Sequence, residues 1–119
     1  MLGVRSRSDL EVAREFASEL AASLPLNLLR VSLFGSRARG DHRVRSDFDL
    51  MILLRDADRA SRARIHAAAV EWELAYNIDL SAKILAYAEF SRLRTGPELF
   101  WQHFDRDELV LWRTLSTPV

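Results

Sequence analysis

The chain contains no cysteine, which excludes disulfide staples, thiolate zinc sites and cysteine nucleophiles. Lysine is almost missing too: Lys83 is the only one, and the rest of the basic complement is arginine. There is no excess charge of either sign, because 17 basic side chains balance 17 acidic ones. No global field therefore steers the molecule to nucleic acid or to an anionic membrane. No apolar run approaches the roughly 20 residues needed to cross a bilayer. The segment from Met1 to Ser8 has arginines but no apolar stretch after them, so it does not match a signal peptide. These absences predict a soluble, cytoplasmic protein with neither membrane nor direct nucleic-acid contacts. Half of the 119 residues are apolar, enough for one modest core. With no repeat or linker in view, residues 1–119 are read as a single domain.

The pattern along the chain alternates between helical and strand periods. Ser8 and Glu11 form a Ser-x-x-Glu capping box, and Leu10, Ala13, Phe16, Ala17, Leu20 and Leu24 follow at helical spacing. Pro25 stops that helix, which spans about residues 9–24 by these signals. Residues 28–34 and 48–54 are short apolar runs that read as buried strands. A short helix is predicted over 36–39, with Gly40-Asp41 opening a loop. The arginine-rich stretch 55–64 leads into a helix through Tyr76, with Ile65, Ala69, Trp72 and Tyr76 as its inner stripe. Its arginines read as a solvated face or as a docking surface for an acidic partner. Residues 78–85 alternate as a third strand: Ile78, Leu80, Ala82 and Ile84 on one face, Asp79, Ser81 and Lys83 on the other. Residues 87–94 read as a short helix or turn. Pro97 opens another helix, with Leu99, Phe100, His103 and Phe104 facing inward. A turn at 105–107 leads to a last strand over 108–112. The order α-β-α-β-α-β-α-β predicts a mixed α/β fold with at least three strands in one sheet.

The stretch from Phe34 to Leu50, FGSRARGDHRVRSDFDL, carries the chemistry. Gly35-Ser36 follows a strand directly. Glycine lets a phosphate approach the backbone, the following turn offers free N–H groups, and Ser36 adds a hydroxyl. Asp47 and Asp49 flank Phe48 at the start of the next strand. Two residues apart in a strand, both carboxylates project to one face, roughly 6–7 Å apart at the backbone. Like charges so placed repel unless a cation lies between them. Mg²⁺ is a hard ion that takes oxygen ligands. The other reading is a solvated strand end, or carboxylates paired with Arg43 or Arg45. Asp79 is a third acid, set between Ile78 and Leu80. Beside the second strand it can join the pair, either completing a two-metal site or accepting the proton of an attacking hydroxyl. It can equally be a charge that guards an edge strand. Gly-Ser, ten residues, then Asp-x-Asp, each at the boundary of an apolar strand, should arise by chance in roughly one such chain in several hundred.

This run resembles the signature of the DNA polymerase β-type nucleotidyltransferases. In its short length the chain is similar to the minimal nucleotidyltransferases, the MntA-like antitoxins of HEPN/MNT toxin–antitoxin pairs. The motif covers residues 34–50 plus Asp79, whereas the order of elements agrees over nearly the whole chain. The resemblance implies the nucleotidyltransferase fold, an α/β (α+β) arrangement with a small mixed sheet and helices packed mainly on one face. It implies that Gly35 and Ser36 hold nucleotide phosphates, and that Asp47, Asp49 and Asp79 are the catalytic carboxylates and bind two Mg²⁺ ions. ATP would be the substrate. Among Arg37, Arg39, Arg43 and Arg45, Arg39 is the expected triphosphate contact, because it sits on the turn just after Ser36. The family also implies a partner: a cognate HEPN RNase toxin, held in a hetero-oligomer and adenylylated on a tyrosine. The alternatives are a non-catalytic antitoxin that neutralises by occlusion, and a small-molecule nucleotidyltransferase working with a separate substrate-binding subunit. His42 is expected in solvent or on a phosphate. His66 and His103 lack ligand spacing. Trp72, Trp101 and Trp112 read as core or interface anchors, with Trp101 and Phe104 a candidate docking patch.

Overall fold

Local signals set each element before packing does. The Ser8 hydroxyl accepts from the Glu11 N–H, and the Glu11 carboxylate accepts from the Ser8 N–H, so the capping box opens α1 (Asp9–Ser23). In the computed structural model, which describes residues 8–40 and 47–115, β1 (Leu28–Phe34), α2 (Gly35–Arg39) and β2 (Phe48–Leu54) follow. Next come α3 (Arg59–Tyr76), β3 (Leu80–Ala86), α4 (Tyr87–Arg94), α5 (Leu99–Asp107) and β4 (Leu109–Arg113). Asp58 caps α3 by accepting from the Ser61 N–H. Asn77 ends it in the left-handed region, which asparagine tolerates better than most residues.

The strands form one sheet in the order β3-β2-β1-β4. β1 runs antiparallel to both β2 and β4, while β2 and β3 are parallel. A parallel neighbour requires a crossover, and α3 supplies it. The two long helices, α1 and α3, cover the sheet face formed by Leu28, Val31, Leu33, Leu50, Ile52, Leu54 and Ile84. Phe16 of α1 meets Trp72 of α3 edge-on. The short helices α4 and α5 cover the other face, where Phe90, Trp101 and Phe104 pack on Leu29, Met51, Leu53 and Leu85.

The period-2 reading of β3 holds, with Ile78, Leu80, Ala82 and Ile84 all on the α1/α3 side. Three expectations fail. The inward residues of α5 are Trp101 and Phe104, whereas Leu99 is 62% exposed and His103 is exposed. Trp101 and Phe104 are thus core and not a docking patch, because both pack against Phe90 or against each other. Residues 105–107 do not turn. They complete α5, and Glu108 closes it with its N–H on the Phe104 carbonyl.

Candidate active site

The strand directions bring the motif to one end of the sheet. Because β1 and β2 are antiparallel, Phe34 at the end of β1 pairs with Asp49 at the start of β2. Because β2 and β3 are parallel, Asp49 lies in register with Ser81. One step back, the same register sets Asp79 beside Asp47, and the Phe48 N–H donates to the Asp79 carbonyl at 2.8 Å. Asp79 therefore lies just before β3 rather than inside it, at the sheet end that carries Asp47 and Asp49. Phe48 and Leu50 point into the α1/α3 core, so alternation turns Asp49 to the opposite face.

Gly35 is required at this end for two reasons. Its φ is +76°, a region that side chains other than glycine's enter with strain. A Cβ placed there would sit 2.4 Å from Asp49 Oδ2. The Asp49 carboxylate thus lies directly against the Gly35 backbone, at the first turn of α2. Ser36 follows in that turn, half-buried, and its carbonyl accepts from the Gly40 N–H at 2.9 Å.

Electrostatics single out Asp49. Its carboxyl titrates above the ordinary carboxylate value, first because it is partly buried and then because Asp47 repels its charge; Arg39 pulls the other way. A carboxylate that is partly desolvated and faces a second carboxylate fits a divalent cation, which would replace both the proton and the repulsion. Asp47 and Asp49 are the pair brought together. Asp79 shares their sheet end, but among the described residues no three acidic or histidine side chains are gathered closely enough to hold a metal ion.

The arginines divide by task. Arg37 pairs with Asp9 and lies over the Phe48 ring at 4.2 Å, so it fastens α2 to α1 and β2. Arg39 reaches Asp107 at 2.8 Å while remaining partly exposed. Nothing in the sequence singles out Asp107, which falls in an expected turn; only the fold shows α5 ending beside α2. The Asp107 carboxyl is held down to about 2, first by its hydrogen bond from Arg106 and further by Arg39, against an opposing contribution from burial. Arg43, Arg45 and His42 lie outside the described residues.

A mixed sheet with a glycine turn facing an Asp-x-Asp strand start defines the class: a nucleotide-transfer fold. The chain belongs to the nucleotidyltransferase domain family, whose model matches residues 13–101, and it is a nucleotidyltransferase. A Methanocaldococcus jannaschii protein with the provisional name protein adenylyltransferase is 36% identical over 73 residues, 60% of this chain and 74% of that protein. A solved structure of a candidate nucleotidyltransferase from Sulfolobus solfataricus superimposes with a TM-score of 0.57 at 25% identity, covering 92% of this chain and 85% of that one. A Shewanella oneidensis complex of tri-AMPylated HEPN toxin with MNT antitoxin shares the fold, with a TM-score of 0.51 at 20% identity, over 88% of this chain and 73% of that one. No helix among the described residues is long and apolar enough to cross a membrane.

Proposed function

We propose that the protein transfers AMP from ATP, with Mg²⁺, to a tyrosine of a cognate HEPN-type toxin and so acts as its antitoxin. The observation that carries this reading is the Asp49 carboxylate, seated against the Gly35 turn and repelled by Asp47. That is where a nucleotide phosphate and a divalent cation would meet. The provisional name of the Methanocaldococcus relative supports adenylyl transfer, and the AMPylated toxin in the Shewanella complex supports the acceptor.

Asp47 and Asp49 would hold the metal, joined by Asp79 from just before β3; once bound, it would supply charge neutralisation to the phosphates. Gly35 admits a phosphate to the backbone, and Ser36 donates its hydroxyl. Asp79 would also accept the proton of the attacking tyrosine hydroxyl. Arg39 is held at the rim by Asp107, ready to contact the triphosphate. The chain's share of catalysis is positioning and electrostatics, with no covalent intermediate on the protein.

Labelled ATP and Mg²⁺, added to the protein with its co-purifying partner, should place label on a partner tyrosine. Absence of label with toxicity still suppressed would favour the rival reading, neutralisation by binding alone. Arg39→Ala gives a finer check. Asp107 keeps its bond from Arg106, so the melting temperature should barely change. The KM for ATP should rise roughly tenfold, the worth of one charge-assisted hydrogen bond. An unchanged KM would remove Arg39 from the site.

A further inference from the structure

Helix α3 has two apolar faces. Ser61, Ile65, Ala68 and Trp72 face the sheet. On the opposite side Ala60, Ala63, Ala67, Val70 and Leu74 recur at alternating steps of three and four, and all are exposed. Val70 is 53% exposed and Leu74 81%. Such a repeat is the seam of a helix that packs on another helix.

We infer that this seam docks a second copy of the chain, α3 against α3, antiparallel about a two-fold axis between Ala68 and Ala69. Size is the first argument. The seam is small at its start and large at its end, so antiparallel pairing puts Ala63 on Leu74 of the second copy and Ala67 on its Val70. The layers made by Ala63, Ala67, Val70 and Leu74 then each join one small and one large side chain, which fills the middle of the interface.

Charge is the second argument. The seam is flanked on one side by Arg64 and Glu71, and on the other by His66 and Glu73. Antiparallel pairing sets Arg64 beside Glu71 of the second copy and His66 beside its Glu73, each contact occurring twice by symmetry. Glu73 is fixed at this edge, since its carboxylate also accepts from the Leu80 N–H at 2.9 Å. Parallel pairing would bring Arg59 against Arg64 and alanine against alanine. Size and charge are both complementary throughout only in the antiparallel direction. Because α3 covers the sheet face opposite to Asp49, the pairing leaves both sites open.

One helix-length seam lies at the low end of interface sizes, below about 1,200 Å², so dimerisation should appear in the micromolar range. Sedimentation equilibrium of the full chain from about 1 to 500 µM should show monomer passing to dimer. Leu74→Asp should abolish the dimer and leave the melting temperature of the monomer unchanged, because that side chain is already in water. Arg64→Glu and Glu71→Arg should each weaken the dimer about fivefold, two surface ion pairs' worth. The double exchange should restore it. In this cysteine-free chain, Ala67→Cys together with Val70→Cys should cross-link two copies on oxidation. A chain that stays monomeric throughout, a dimer indifferent to Leu74→Asp, or a double exchange that fails to restore pairing would each overturn the inference.

Discussion

Asp49→Asn should raise the melting temperature of the metal-free protein while cutting AMP transfer by roughly 10³-fold, the loss expected when one preorganised electrostatic group leaves an active site. Both effects have one cause. The Asp49 charge is partly buried, and Asp47 repels it; without a cation, ionised Asp49 is a liability to the fold. Asparagine keeps the shape against Gly35 and removes the charge. Since the site is open to solvent, screening limits the gain to below about 1 kcal/mol, or a few degrees for a domain this small. Under the proposed function, the same substitution would remove a charged oxygen ligand from Mg²⁺. A differential scan with and without Mg²⁺, next to a transfer assay, checks both halves. A variant less stable than the parent would mean that the carboxylate is held by favourable contacts, and the electrostatic account of the site would fail.

The sign of the pH dependence follows. Asp49 titrates above its ordinary value of 3.8, so the native state binds this proton more tightly than the unfolded chain does. Its contribution is stabilising while the group is protonated. That contribution is lost as pH rises from the unfolded value through the raised native one. Asp107 behaves oppositely. With its carboxyl held at about 2, it stabilises the fold above the unfolded value, and this is lost as pH falls toward 2. The melting-temperature gap between Asp49→Asn and the parent should therefore widen with rising pH above 3.8, and Mg²⁺ should close it.

Much of this site was legible in the residues because it is built from strand boundaries. Gly35-Ser36 and Asp47-Phe48-Asp49 sit where apolar runs begin and end, and the period of two fixes which side chains share a face. The alternation around Asp79 was readable for the same reason. What the chain order hides is pairing. Nothing local to Asp107 indicates that it will hold Arg39, since the two meet only when α5 packs beside α2. The inner face of α5 differs from the expected one because Leu99 and His103 fit the helical period as well as Trp101 does, and only the seat offered by Phe90 decides between them. The outward seam of α3 was masked in the same way, since a helix apolar on two sides shows no single stripe.

Gly35→Ala should be the most damaging small substitution at the site, and Gly40→Ala separates its two causes. Both glycines have positive φ, +76° and +83°, so both alanines bear a backbone strain of about 1 kcal/mol. Around Gly40 a Cβ would meet nothing within 4 Å, whereas at Gly35 it would meet Asp49 Oδ2 at 2.4 Å. Gly40→Ala should therefore lose about 1 kcal/mol of stability and keep most of its transfer activity. Gly35→Ala must in addition push the Asp49 carboxylate from the place where it would face the phosphate. A displacement of about 1 Å in a reacting constellation is worth roughly 10²-fold in rate. Transfer should fall by at least that factor, with stability reduced by about 1–3 kcal/mol. Urea unfolding measures the second quantity and a labelled-AMP assay the first. Equal activity in the two variants would mean that close contact between Gly35 and Asp49 has no part in the chemistry.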